Sequence, residues 1–212
     1  MLAITNILFG MLKQRNADQS RQNLLEAASH EIHQFGFHSA SISRILENTT
    51  LTRGALYHHF PSKLELGYAV IDELFAGYMQ HLWLEPLDKP GDPIDTIVNS
   101  LNETYLSHGN ELISFGCPLN NLSQEMSAVD EGFRERINHQ YAIWQDALTD
   151  ALKRGQLEGQ VKQSVNVAEV AVFIVASIEG CIGLAKNNQS EEVLNSCTNI
   201  LIDYLHNLRL SK

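Results

Sequence analysis

Cysteine is scarce in this sequence of 212 residues, and its three cysteines, Cys117, Cys181 and Cys197, are widely spaced without a Cys-x-x-Cys pattern. An odd number of isolated cysteines argues against a disulfide framework and against a zinc site. The sequence also lacks a continuous apolar run of membrane-spanning length. Its first dozen residues lack the basic start and the small-residue cleavage site of a secretion signal. We therefore expect a cytoplasmic protein with no metal, no cofactor and no membrane contact.

Basic residues are also few: the sequence has 15 Lys and Arg residues and 25 Asp and Glu residues, which gives a net charge of −10. The imbalance is uneven along the chain. Residues 1–66 hold six basic and five acidic side chains, whereas residues 67–212 hold nine and twenty. Because DNA affinity depends on local phosphate contacts, a nearly neutral N-terminal third is compatible with nucleic-acid binding.

Signatures of catalysis are missing as well. Serine, histidine and cysteine occur without a nucleophile elbow or a paired general base. His58 and His59 would point in different directions on a helix, and no carboxylate or cysteine is spaced to complete a metal site with them. His30 and His33 would share a helix face, where an exposed or capped pair is the ordinary outcome. The sequence therefore predicts no enzyme, no catalytic residue and no metal site.

Apolar residues recur at intervals of three and four throughout, without sustained alternation, which predicts an all-α fold. The clearest amphipathic pattern covers 130–154, with Gly155 and Gly159 marking its end. Residues 167–185 are apolar nearly all round, and a last helix begins near Glu191. These two C-terminal helices carry more apolar surface than one small domain can bury, which predicts a homodimer through them. The other predicted elements are helices over 18–35, 42–48, 53–58, 62–84 and 93–108, and a loop over 85–92.

The most informative stretch is residues 41–63, SISRILENTTLTRGALYHHFPSK. Thr52 is a favourable N-cap for a short helix, and its hydroxyl can reach a phosphate. Gly54 and Ala55 allow this helix to approach DNA closely, and Arg53 has the forked donors that read guanine edges. The side chains placed to contact the DNA backbone are Tyr57, His58 and Lys63.

The order of helix, glycine, two short helices and Tyr-His-His-Phe-Pro-Ser-Lys resembles the DNA-binding domain of the TetR family of repressors over residues 20–66. The resemblance implies an N-terminal extension over 1–17, a three-helix helix-turn-helix domain over 18–66, and a helical ligand-binding and dimerisation domain over 67–212. It also places Ser41 beside a phosphate and gives His59 a position that sometimes contacts one. The implied protein is a homodimeric repressor of palindromic double-stranded operator DNA, released by a small-molecule effector.

One position departs from the family pattern, since Thr50 stands where a glycine is usual and Thr49 precedes it. Threonine disfavours the left-handed backbone conformation that such a turn often uses. We therefore predict that Asn48 adopts it instead.

The C-terminal region offers candidates for an effector pocket without a diagnostic constellation. Cys117 lies in a helix break, where some related regulators sense electrophiles, although a buried inert thiol is the other interpretation. Glu179 is conspicuous within an apolar run and could equally pair across the dimer. The expected effector is small and hydrophobic or electrophilic, and the alternative is a dimer that binds no ligand. Aromatic stripes are also ordinary core, and the remaining candidates are Phe75, Tyr78, Met79, Trp83, Tyr105, Phe133, Tyr141, Trp144 and Phe173.

Overall fold

The computed structural model describes the backbone of residues 2–210 and the side chains of residues 18–210. Within the described backbone the regular structure is helical, and the single β-bridge joins Val161 to Arg209. The chain divides into two compact units, Met1–Leu74 and Phe75–Lys212. The predicted all-α fold is confirmed.

The first unit contains α1 (Leu2–Phe35), α2 (Ile42–Glu47), α3 (Arg53–His59) and α4 (Lys63–Ala69). Helix α1 packs against the other three, and it begins well before the predicted start at residue 18. Apolar side chains spaced along these helices share one small core, because each helix buries one face. Its fully buried members include Leu24, Leu25, Ala28, Ile45, Leu56 and Leu66.

The turn between α2 and α3 differs from the prediction for Asn48. Asn48 has φ −87° and ψ 9°, so the predicted left-handed conformation is wrong. The turn is instead held by Thr49, whose hydroxyl donates to the Leu46 carbonyl at 3.1 Å and accepts the Leu51 N–H at 3.2 Å. A side chain that bonds to the nearby backbone therefore holds this turn without a glycine at position 50.

A continuous helical stretch, here called the connecting segment, runs from Lys63 to Asp88. After α4 it contains two π-helical turns, and its parts are π1 (Val70–Phe75), α5 (Ala76–Met79), π2 (Gln80–Leu84) and α6 (Glu85–Asp88). The loop predicted over 85–92 is therefore wrong in its first half. Pro86 is the second residue of α6, which directly follows the end of π2, where the helical hydrogen-bond pattern changes.

The second unit adds α7 (Pro93–Phe115), α8 (Pro118–Met126), α9 (Glu131–Leu157), α10 (Val167–Asn188) and α11 (Glu191–Asn207). Gly116, with φ 84°, separates α7 from α8. Gly155 was predicted to mark the end of α9 but lies inside it, where an added Cβ would come within 2.5 Å of the Pro93 Cγ. A glycine is needed there for close packing, and not for ending the helix.

Helix α10 is the central helix of this unit. By length and composition it could cross a membrane, which the sequence reading did not expect, but half of its most apolar stretch is buried. It packs against α7, α9 and α11. The apolar character of α10 is therefore explained by cover from several sides.

Candidate DNA-binding surface and effector site

Helix α3 presents its N-terminal half to solvent. Thr52 caps it by accepting the Ala55 N–H at 3.2 Å, which confirms the predicted cap. Leu56 is fully buried and anchors the helix, while Arg53 and Tyr57 are exposed on its outer side. Gly54 and His58 are exposed too, and Ala55 is half-buried. The arrangement offers a short capped helix end with long donors, which is the form that enters a major groove.

Ser41 is positioned by a buried carboxylate that the sequence reading did not single out. Its hydroxyl makes no capping bond, but its backbone N–H donates to Oε1 of Glu31 at 2.9 Å. Arg44 donates to the same oxygen through Nε at 2.6 Å. Glu31 is only 3% exposed, so these two donors compensate its burial. The contact fixes the start of α2 against α1 and leaves the Ser41 hydroxyl unused by the cap.

Lys63 and His59 lie at the far end of the same surface. The Lys63 ammonium donates to the His38 carbonyl at 3.1 Å and lies 4.8 Å from the centre of the Phe37 ring. Burial, followed by the charge of His58, lowers the pKa of His59, which keeps this imidazole neutral at pH 7. His59 can therefore hydrogen-bond to a phosphate without adding a positive charge.

Four helices of the second unit bring Tyr105, Cys117, Tyr141 and Glu179 to one region, here called the polar centre. The Cys117 thiol donates to Oε1 of Glu179 at 3.3 Å. Tyr105 and Tyr141 pack against the same core, and the charge of Glu179 contributes to the raised pKa of each phenol. Trp144 lies one turn after Tyr141 on α9, and its indole N–H is buried without a hydrogen-bond partner.

Burial governs the protonation of the polar centre. It raises the pKa of Glu179 to about 7, against the opposing hydrogen bond from Cys117. Burial, and then the charge of Glu179, raise the pKa of the Cys117 thiol well above its ordinary range. Burial raises the pKa of Tyr105 to about 12 and moves that of Tyr141 strongly upward. At neutral pH the centre therefore holds a protonated thiol, neutral phenols and a carboxyl group that is only partly ionised.

The seven predicted pocket residues outside the polar centre divide into three groups. Trp83 and Trp144 are buried with ring centres 4.8 Å apart, and Met79 packs beside the same core as the polar centre. Phe75 and Phe133 are buried outside that core cluster. Tyr78 and Phe173 are 54% and 49% exposed, so the structure does not bring them into the interior.

A groove missed by the sequence reading lies between the connecting segment and α9. Its volume is about 460 Å³, and Gln80, Leu84, Ile143 and Ala147 are among its lining residues. None of the predicted pocket residues lines it. Its apolar lining residues come from elements that are far apart in the sequence, so no local pattern indicated such a groove.

Helices α10 and α11 also expose apolar side chains. Val172, Leu184 and Ile200 are 51%, 55% and 70% exposed, and the Phe173 ring contacts Tyr204 with centres 5.0 Å apart. The positions Gly180 and Gly183 have open space around them. This surface, residues 172–200 on the outer side of the two helices, is here called the apolar face.

Comparison with known proteins agrees with these features. Residues 24–70 match the family described as bacterial regulatory proteins, tetR family, and residues 90–200 match the family described as transcriptional regulator LmrA/YxaF-like, C-terminal domain. An uncharacterized HTH-type transcriptional regulator in the lacX 3′ region of Lactococcus lactis subsp. lactis is 32% identical over 187 residues, covering 88% of this chain and 93% of that protein.

Two further proteins extend the comparison. The A-factor receptor protein of Streptomyces griseus is 29% identical over 171 residues, covering 80% of this chain and 56% of the receptor. The crystal structure of a TetR transcriptional regulator from Chloroflexus aurantiacus has the same fold, with a TM-score of 0.82 at 24% identity over 93% of this chain and 100% of that one. The chain therefore belongs to the TetR family of bacterial DNA-binding transcriptional regulators, whose members are typically ligand-responsive repressors.

Proposed function

We propose that this protein is a cytoplasmic homodimeric repressor that binds a palindromic operator through α3 and leaves it when a small effector binds in the second unit. The observation that carries the proposal is the capped, exposed N-terminal half of α3 in a chain of this family. In a dimer, two such helices lie about 34–36 Å apart, or a multiple of that, to meet successive major grooves.

Arg53 is the proposed reader of bases. It is exposed at the first position of α3, and its Nη2 lies only 3.4 Å from the Ser43 hydroxyl, a weak contact that DNA can replace. Gly54 adds no side chain between the helix and the groove. The proposed phosphate and close-approach contacts are Ser41, Thr52, Gly54, Ala55, Tyr57, His58, His59 and Lys63.

The apolar face is the proposed dimer interface. Burial of the exposed side chains of Val172, Leu184 and Ile200 by a second copy would stabilise a dimer. The open space at Gly180 and Gly183 allows the backbone of the second copy to approach. An isologous contact between two such faces would produce the two-fold symmetry that a palindromic operator requires.

The polar centre is the proposed effector site. Buried polar atoms without partners are costly, and Oε2 of Glu179 and Nε1 of Trp144 are both buried without one. A relative carries the name of a receptor, which supports a ligand in this domain. The protonated state of the Cys117 thiol favours an effector that binds without a covalent bond over an electrophile.

The connecting segment is the proposed route from effector to DNA. Trp83 belongs to π2, and the same helical stretch begins at Lys63, four positions after α3 ends. A ligand that stabilises one packing of Trp83 against Trp144 would therefore favour one conformation of the helix that follows the recognition helix. Such differential stabilisation is what couples ligand binding to DNA release.

The test is a binding assay of the full chain on its own upstream DNA at stated salt, with and without a panel of hydrophobic and electrophilic compounds. We expect saturable binding of a dimer to one fragment and its loss with one compound. Specific binding that no compound alters would favour the dimer that binds no ligand. Absence of binding to any upstream fragment would contradict the proposed repression of neighbouring genes.

A further inference from the structure

Glu179 is a buried acid with only half of its hydrogen-bonding capacity used. The residue is 8% exposed and lies in the middle of α10. Oε1 accepts the thiol proton of Cys117, but Oε2 has no partner among the described atoms. Because an unmet acceptor in the interior costs free energy, the site is incomplete without a donor.

The groups that face Glu179 supply no positive charge. They come from α7, from the start of α8 and from α9, and they are Tyr105, Cys117 and Tyr141. Along α10 itself, Lys186 donates to Oδ1 of Asn121 at 3.0 Å. Among the side chains of 18–210, none forms an ion pair with Glu179. An ionised Glu179 is therefore without a countercharge in its own unit.

The core of the second unit, in which Glu179 is buried, is aromatic or aliphatic. Tyr105, Tyr141 and Trp144 contribute rings, and Ile178 and Ile182 are buried on the same helix as Glu179. Ring faces attract cations, and the attraction grows when water is excluded. An interior that combines aromatic rings with one carboxyl group favours positive charge on an apolar body.

We infer that the effector is a protonated organic amine on a small aromatic or aliphatic body, and that Oε2 of Glu179 accepts a hydrogen bond from its ammonium group. This inference rests on the proposed function, because it names the ligand class of the same effector site. The amine would supply a donor to Oε2 and the countercharge that the described side chains do not give Glu179. The body of the ligand would pack against the rings of Tyr105, Tyr141 and Trp144.

Three probes with one body separate the ligand classes: phenethylamine, 2-phenylethanol and ethylbenzene. Both tryptophans of the chain, Trp83 and Trp144, pack together in the core of the same unit, so binding is followed by their fluorescence, with calorimetry as a second measurement. At pH 8 we expect the amine to bind at least tenfold more tightly than the alcohol. Glu179→Gln keeps the shape of the side chain and should remove this preference. Glu169→Gln, on the exposed first turn of the same helix, should leave it unchanged.

Wild-type protein provides a measurement that does not depend on a variant folding. The protonated amine binds the ionised carboxylate of Glu179. At a pH below the pKa of this group, the carboxyl proton must therefore dissociate before the amine binds. With that pKa at about 7, affinity for phenethylamine should rise about tenfold from pH 6 to pH 8. Affinity for 2-phenylethanol should stay constant over the same range.

Operator binding without any probe is measured on the same samples, which separates this inference from the proposed function. If the protein without any probe binds no operator, the proposed repressor is refuted. The affinities for the three probes then decide the inference by themselves. If the operator is bound, the inference is overturned when the amine binds no more tightly than the alcohol. It is also overturned when the Glu179→Gln variant binds the amine as tightly as the parent does. An alcohol that binds more tightly than the amine also overturns it and assigns a neutral donor to the site.

Discussion

The thiol of Cys117 donates a hydrogen bond to Oε1 of Glu179 across 3.3 Å, and the bond joins the start of α8 to the middle of α10. Each group changes the protonation of the other. The charge of Glu179 helps to raise the pKa of the thiol, while the thiol proton opposes the upward shift of the carboxyl pKa that burial causes. The pair is therefore a polar contact that holds its proton on sulfur at neutral pH.

Cys117 should react slowly with alkylating agents. Because the thiolate is the reactive form and the pKa of this thiol is raised, we expect iodoacetamide at pH 7.5 to modify folded protein at least tenfold more slowly than protein unfolded in urea. Peptide mass spectrometry distinguishes Cys117 from Cys181 and Cys197. A folded-state rate equal to the unfolded one would favour an electrophile sensor at this position.

Glu179→Gln should change the pH dependence of stability. The pKa of Glu179 is about 7 in the folded protein and 4.5 ordinarily. The stability that folding gains from holding this proton is therefore fully present below pH 4.5 and is lost as the pH rises through 7. Between pH 5 and pH 8 the free energy of unfolding of the variant should therefore gain on that of the parent by an amount on the order of 2–3 kcal/mol. Urea titrations at both pH values measure this difference. Parallel pH profiles for variant and parent would show that Glu179 stays ionised when buried.

Substitution of Arg53 should weaken DNA binding, whereas substitution of Arg44 should lower the stability of the fold. Arg53→Ala removes an exposed donor, so specific operator affinity should fall by about 10- to 100-fold with an unchanged melting temperature. Arg44→Ala removes a partner of the buried carboxylate of Glu31, and the melting temperature should fall. Fluorescence anisotropy with labelled operator and thermal melts give both readings. Unchanged operator affinity in Arg53→Ala would remove its assigned role in base reading.

Ile200→Glu should shift the protein from dimer to monomer. Ile200 is 70% exposed on the apolar face, and a charge buried there by a second copy would lack a partner. Leu106→Glu is the matched control, since Leu106 is 88% exposed on α7. Light scattering after gel filtration should show a monomer for the first variant and a dimer for the second. A dimeric Ile200→Glu would place the interface elsewhere.

Helix boundaries set by a local side chain could be predicted from the sequence. Thr52 caps α3, and Ser62 accepts the Glu65 N–H at 3.1 Å at the start of α4. Gly116 follows the end of α7 at Phe115, although this helix was predicted to end at residue 108. By contrast, the π-helical turns π1 and π2 could not be foreseen, because their wider hydrogen bonds depend on packing and leave no residue signature.

In the candidate sites too, residues with a local sequence signal could be predicted, whereas contacts between distant positions could not. Glu179 was conspicuous as an acid in an apolar run, but its partner Cys117 lies 62 positions away and no pattern joins them. Glu31, which holds Arg44 across 13 positions, was missed for the same reason. Phe173 was included because of its helical spacing, which identifies a face of a helix and not what covers that face.

The two π-helical turns make the connecting segment unusually tolerant of a change in length. Each turn holds more residues than an α-helical turn, so the deletion of one residue within Gln80–Leu84 could convert that turn to α-helix and leave the flanking side chains in place. The same deletion within Glu131–Leu157 would rotate every later side chain by about 100° around the axis and move its apolar stripe away from the core. Single-residue gaps between relatives should therefore collect in the connecting segment and be rare in α9.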